Sequence, residues 1–218
     1  FPILKNISLS LNNKKIGLLG KNGVGKTTLL KLIVGELEPT QGKINRSGRI
    51  AYLPQDYQFN LTQDVGSRKL VTFSGGERMK LLLTKLLETP ADFLLLDEPT
   101  NNLDAEAQKL VQQTIKDWQG GCLVISHDRK VLNLMDEIWE LTPKGLKAYG
   151  GNYNFYKSQK ELEEQALESD LITARVGLKK TQSQAQRTKE KQEKRSAAGK
   201  RFRDTGSQPK MALNYMRN

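Results

Sequence analysis

The sequence predicts an α/β fold followed by a basic helical arm. Three observations predict it. A short apolar strand passes through a glycine-rich turn into an amphipathic helix over residues 14–37. A second apolar run, "ADFLLLDEP", ends in the paired acids Asp97 and Glu98. Beyond Asn152 the chain turns polar and helix-favouring, with no proline until Pro209.

The 218 residues suffice for one α/β domain and an arm, expected at 1–152 and 153–218. The opening "FPILKNISLSL" lacks a methionine and has a strand-like pattern, so it reads as the start of a fragment. No apolar run approaches the ~18–20 residues of a membrane helix, which predicts no direct membrane insertion. The single cysteine, Cys122, lies in an apolar run and is expected to be a buried structural thiol in a reducing cytoplasm. Charge is uneven: residues 175–218 carry 13 Lys+Arg against 3 Asp+Glu, and the rest of the chain 22 against 21. The tail therefore holds nearly all of the net charge of +11, which predicts a polyanionic partner for it.

The first element is the strand "KKIGLLG", and "KTTLLKLIVGEL" follows as a helix. Between them Gly20, Gly25, Lys26 and Thr27 match the P-loop pattern in full. Gly20, Gly23 and Gly25 allow the backbone to curl until its N–H groups converge on phosphates, and the helix N-terminus adds a favourable dipole. Lys26 supplies a charge for the outer phosphates, and the Thr27 hydroxyl is a candidate Mg²⁺ ligand.

The strand ending at Asp97 and Glu98 should deliver both acids to the carboxyl edge of a parallel sheet, where ligands gather. Asp97 is then expected to hold Mg²⁺ through water, and Glu98 to polarise an attacking water. A third apolar run, Cys122–Ile125, ends in Ser126 and His127, the only histidine in the chain. Its place at a strand end beside the same site predicts a γ-phosphate contact. The stretch "VTFSGGERMKLLLTKLL" places Ser74, Gly75 and Gly76 before another amphipathic helix, a second phosphate-ready N-terminus. Leu82, Leu83, Leu86 and Leu87 recur at helical spacing and are expected in the core.

Together these motifs resemble the nucleotide-binding domain of the ATP-binding cassette (ABC) family. Its P-loop, the Gln55 of "YLPQ", "FSGGE", "LLLDEP", the "NNLD" of Asn101–Asp104 and "SHD" occur here in the family's order. The resemblance implies an ABC-type domain with a mixed sheet that binds and hydrolyses ATP with Mg²⁺. It assigns Asn22 and Thr28 to the phosphate cradle, and Gln55 to the metal and the catalytic group with Glu98 and His127. It further implies that Ser74, Gly75 and Gly76 cap the γ-phosphate of ATP held by a second, facing cassette, with Asp104 at the seam. A lone cassette is then expected to hydrolyse ATP poorly.

"EPTNNLD" resembles the soluble twin-cassette ABC-F class more than transporter ATPases, which remain the alternative. Eighteen residues separate Gln55 from Ser74, a reduced or incomplete version of the helical subdomain of transporter cassettes. In the tail Leu167, Leu171, Ala174, Leu178, Thr181 and Ala185 form a weak coiled-coil seam. "DTGSQP" should break the helix and "KMALNYMRN" begin a returning one, making a helical hairpin arm with a basic tip. The resemblance to the ABC-F class implies that the tip, around Lys194, Arg195, Lys200, Arg201, Arg203 and Lys210, contacts phosphates of the ribosome or another nucleic acid. Only Phe202 and Tyr215 accompany that charge, so base-specific reading is not expected.

Overall fold

A computed structural model describes residues 3–55 and 74–204. The chain divides into two compact units, residues 1–160 and 161–218. The first is built on a six-stranded sheet. Its strands are β1 (Lys15–Gly20), β2 (Ile50–Leu53), β3 (Phe93–Asp97), β4 (Gly121–Ile125), β5 (Glu137–Thr142) and β6 (Gly145–Gly150). They are ordered β2-β3-β4-β1-β5-β6. Only β6 runs antiparallel, as a hairpin partner of β5, so the expected mixed sheet is present. Because β1 lies beside β4, and β4 beside β3, the carboxyl ends of these three strands are neighbours. That placement gathers the loop after Gly20, the acids after Leu96 and the Ser126–His127 pair on one edge.

Side-chain alternation assigns each strand residue to a face. Helix α1 (Lys26–Val34) packs through Leu29, Leu30 and Ile33 on one face, with Ile16, Leu18, Leu95, Leu123 and Ile125. The opposite face carries Leu53, Leu94, Leu96, Val124 and Ile138. Helices α2 (Gly75–Glu88), α3 (Ala105–Asp117) and the short α4 (Arg129–Leu132) cover it. Central strands buried on both faces read as continuous apolar runs, which is why "FLLLD" and "GCLVI" lack alternation.

Gly17 sets the spacing between β1 and α4. A Cβ there would lie 2.8 Å from Leu132 Cδ2 and 2.9 Å from Ile138 Cδ1. Gly17→Val is therefore expected to destabilise by about 1–3 kcal/mol through overpacking. The midpoint of urea denaturation should fall at unchanged slope, and an unchanged midpoint would show that the layer yields freely.

Two expectations are corrected. The opening segment forms no strand over its described residues; Leu4, Ile7, Leu9 and Leu11 instead pack by their side chains on the α1 face. In α2, Leu82 and Leu83 are buried and Leu86 is half-buried, but Leu87 is 43% exposed. Four leucines at helical spacing span a wider arc than one neighbouring layer can cover. Cys122 is fully buried, and burial pushes its thiol up to about 12.

Helix α5 (Tyr153–Asp204) begins in the first unit. There Glu140 accepts hydrogen bonds from Tyr149 Oη (3.3 Å), Tyr156 Oη (3.3 Å) and Lys160 Nζ (2.8 Å), fastening its first two turns. In the second unit the seam residues Leu167, Leu171 and Leu178 are each exposed. The helix break, the returning helix, Lys210 and Tyr215 lie outside the described residues, as do Phe1 and the segment 56–73. No helix among the described residues is long and apolar enough to cross a membrane.

Candidate nucleotide site

The loop from β1 to α1 is left-handed at Gly23 (φ 78°) and Gly25 (φ 106°), where a side chain would be strained. At Gly23 a Cβ would meet nothing within 4 Å, so conformation rather than space requires glycine. Gly25 caps α1 without any side-chain hydrogen bond, leaving the first amide groups of the helix open to an anion. Lys26 curls back over the loop, donating from Nζ to Gly20 O (2.8 Å) and Lys21 O (3.4 Å). Asn22 and Thr28 flank the same turn, Asn22 exposed and Thr28 half-buried.

Thr27 Oγ1 donates to Asp97 Oδ2 at 2.7 Å, joining the P-loop helix to the end of β3. Asp97 is 2% exposed and so needs such partners. Glu98 follows with φ 50°, an unusual backbone for a non-glycine residue. Its N–H donates to Ile125 O (2.9 Å), which ties the bend to β4. One carboxylate oxygen, Oε1, lies 3.2 Å from His127 Nε2. The other, Oε2, is buried with no hydrogen-bond partner. Burial raises the Glu98 carboxyl above its usual range and the Asp97 charge adds to this, while His127 and Lys26 oppose it. His127 itself is 60% exposed, on the solvent side of this pair.

Gln55 is exposed just beyond β2 and lines a small cavity of about 120 Å³ with Asp97, Glu98, Met79 and Leu82. The structure thus brings Gly20–Thr28, Gln55, Asp97, Glu98 and His127 to one sheet edge. Ser74, Gly75, Gly76 and Asp104 form a separate group. Ser74 caps α2, accepting from Glu77 N at 3.3 Å, while Glu77 Oε2 accepts from Ser74 N (2.9 Å) and Oγ (3.0 Å). These bonds hold the Glu77 carboxyl below its ordinary range. Asp104 caps α3 through Ala107 N (2.8 Å), and its Oδ2 would lie 3.4 Å from a Cβ on Gly76. Among the described residues, no hydrogen bond or ion pair joins this second group to Lys26, Thr27 or Glu98.

The donor set fits a polyphosphate with a hydrated Mg²⁺. Thr27 and Asp97 offer hard oxygen ligands within one hydrogen bond of each other. The helix cap left open and the orphaned Oε2 of Glu98 are the groups a phosphate and its attacking water would satisfy. Sequence reasoning missed Tyr52, whose buried hydroxyl shares the Asp97 face of the sheet. Its side became legible only once the register of β2 on β3 was known.

Residues 4–68 match the family described as ABC transporter. Over 212 aligned residues the chain is 37% identical to the ATP-binding protein Uup of Haemophilus influenzae, covering 75% of this chain and 32% of Uup. It is 37% identical over 176 residues to the ribosome protection protein VmlR of Bacillus subtilis, covering 73% of this chain and 32% of VmlR. With the ABC transporter F family member 5 of Arabidopsis thaliana it shares 30% identity, covering 75% of this chain and 30% of that protein. The chain thus spans about a third of the length of these relatives. An archaeal ribosome recycling factor, aABCE1, solved in complex with the ribosomal stalk protein aP1, superposes with a TM-score of 0.51. It is 27% identical and covers 63% of this chain and 34% of that one.

A P-loop on a largely parallel sheet, with two acids and a histidine at the neighbouring strand ends, defines a P-loop nucleotide-binding protein. More particularly, the chain belongs to the ATP-binding cassette family and, within it, to the ABC-F class.

Proposed function

We propose that this chain is one cassette, residues 1–152, and part of the linker arm, residues 153–218, of an ATP-hydrolysing ABC-F protein. It acts in the cytoplasm on the ribosome or another nucleic acid. The observation that carries the reading is the separation of two phosphate-ready helix starts. The α1 terminus carries Lys26, Thr27 and the acids, while the α2 terminus carries none of them. Each is half of a composite site, so two cassettes facing head to tail complete two sites.

ATP is the substrate. The loop amides and Lys26 bind its phosphates, Thr27 and Asp97 would hold the metal, and Gln55 reaches the same space from β2. Bound Mg²⁺ would neutralise charge on the outer phosphates. Glu98 accepts the proton of the attacking water, and His127 keeps the carboxylate aimed through Oε1. Ser74 and the amides of Gly75 and Gly76 cap the γ-phosphate across the interface, beside Asp104.

The relatives' printed roles in ribosome protection and recycling support the ribosome as target. So does the basic arm.

Turnover measured against protein concentration tests the composite site. The isolated chain is expected to bind ATP, with a rate per molecule that is low and rises with concentration. A high, concentration-independent rate would overturn it. Ribosome co-sedimentation at low salt tests the target, and pelleting with membranes and a permease instead would favour a transporter ATPase.

A further inference from the structure

The β2 strand pairs with β3 in parallel, with Tyr52 opposite Leu95. Leu95 and Asp97 are two residues apart on β3 and so point to the same face. Tyr52 shares that face, packing against the group formed by Leu29, Leu30, Ile33 and Leu95. Asp97 is reached there by the Thr27 hydroxyl. The phenol of Tyr52 is thus on the same face of the sheet as the Asp97 carboxylate, in the layer between the sheet and α1, and within range of its charge. A step of two residues along β3 and one strand across spans about 8 Å, within reach of a tyrosine side chain.

The Tyr52 hydroxyl is buried and makes no hydrogen bond. A buried hydroxyl without a partner is a cost to the fold, and such groups are few in native proteins. Burial, then the charges of Asp97 and Glu36, push its ionisation up to about 12, so it stays a donor at neutral pH. A donor beside a carboxylate acts only on an acceptor. The acceptor that arrives with the substrate is an oxygen of the hydrated cation's shell, or the Asp97 carboxylate once it turns from Thr27 towards that shell.

We infer that Tyr52 is a positioning residue for the metal: its hydroxyl finds its partner only when hydrated Mg²⁺ and the nucleotide fill the site, and it orients Asp97 or the water between Asp97 and the ion. The inference rests on the proposed Mg²⁺–ATP site at Thr27 and Asp97. It assigns to the strand before Gln55 a second role besides carrying that glutamine.

Tyr52→Phe removes the oxygen and keeps the ring. Three measurements on the 218-residue chain test it. Thermal unfolding without ligand should be unchanged or shifted upward, because an unsatisfied hydroxyl has been removed. Mn²⁺ binding, followed by electron paramagnetic resonance with a non-hydrolysable ATP analogue, should weaken roughly 10-fold, the low end for an outer-shell partner. Binding of the analogue in excess EDTA should not change. A lower melting temperature would mean that the hydroxyl serves the apo fold, and equal Mn²⁺ affinity would mean that it does not serve the metal; either overturns the inference. Thr27→Ala is the control. If it weakens Mn²⁺ binding and Tyr52→Phe does not, the role of Tyr52 falls and the site stands. If neither does, the metal site is misassigned and both fall.

Discussion

Glu98→Gln is expected to lower ATP turnover by roughly 10²–10⁴-fold, the span of a general base, with nucleotide binding retained. The amide keeps the shape of the side chain but cannot take a proton from water. Lys26, Thr27 and the loop amides are untouched, so ATP should accumulate bound, and a two-cassette version should stay closed. The same substitution has a stability signature of its own. In the folded protein the Glu98 carboxyl is raised above its ordinary value of 4.5, chiefly by burial. A raised carboxyl binds its proton more tightly in the folded state. Its contribution is therefore fully present below the unfolded value and lost as pH rises through the folded one. Above its folded value the Glu98 carboxylate is a buried charge with one unpaired oxygen, which the glutamine variant lacks. Glu98→Gln should melt higher than wild type at pH 7, and the gap should close below about pH 4.5. Unchanged turnover would refute the base assignment, whereas an unchanged gap at acid pH would refute only the burial argument.

The parts of this site that were legible in the sequence are those whose chemistry depends on local spacing. Gly20 to Thr27 form their cradle within one strand–turn–helix, and Ser74 caps the helix it immediately precedes. The acids at 97 and 98 could be placed because the carboxyl edge of a parallel sheet is predictable from the strands alone. What depends on pairing was not legible. The opening segment alternates like a strand, yet its side chains pack on the α1 face without joining a ladder. Tyr52 carries no motif, and only its register against Leu95 places its hydroxyl on the Asp97 side. The Ser74–Glu77 box satisfies the sequence pattern of a capping box, but its consequence is visible only in the geometry. The Ser74 hydroxyl donates to the Glu77 carboxylate of its own helix. The hold of Glu140 on Tyr156 and Lys160 likewise joins residues from separate elements that no local pattern connects.

Replacing Lys194, Arg195, Lys200, Arg201, Arg203 and Lys210 together by glutamate is expected to abolish nucleic-acid association at physiological salt. Charge placement favours the arm, since residues 1–174 are almost balanced and residues 175–218 carry a net +10. Helix α5 extends as far as Asp204. Of the six, Lys194 and Arg195 are exposed on its described part. If all six contact phosphates, each releases counterions, and affinity should fall about 10³-fold between 50 and 200 mM salt. The wild-type chain should show that steep dependence on ribosomes or structured RNA, and the six-fold variant should show neither binding nor slope. Single replacements should each flatten the slope by about one contact while leaving any sequence preference unchanged, because phosphate contacts position without reading bases. ATP binding at Lys26 is a control that should not move, since P-loop and substitutions lie on different units of the chain. Binding that persists at 200 mM salt in the six-fold variant would assign recognition to the cassette instead of the arm.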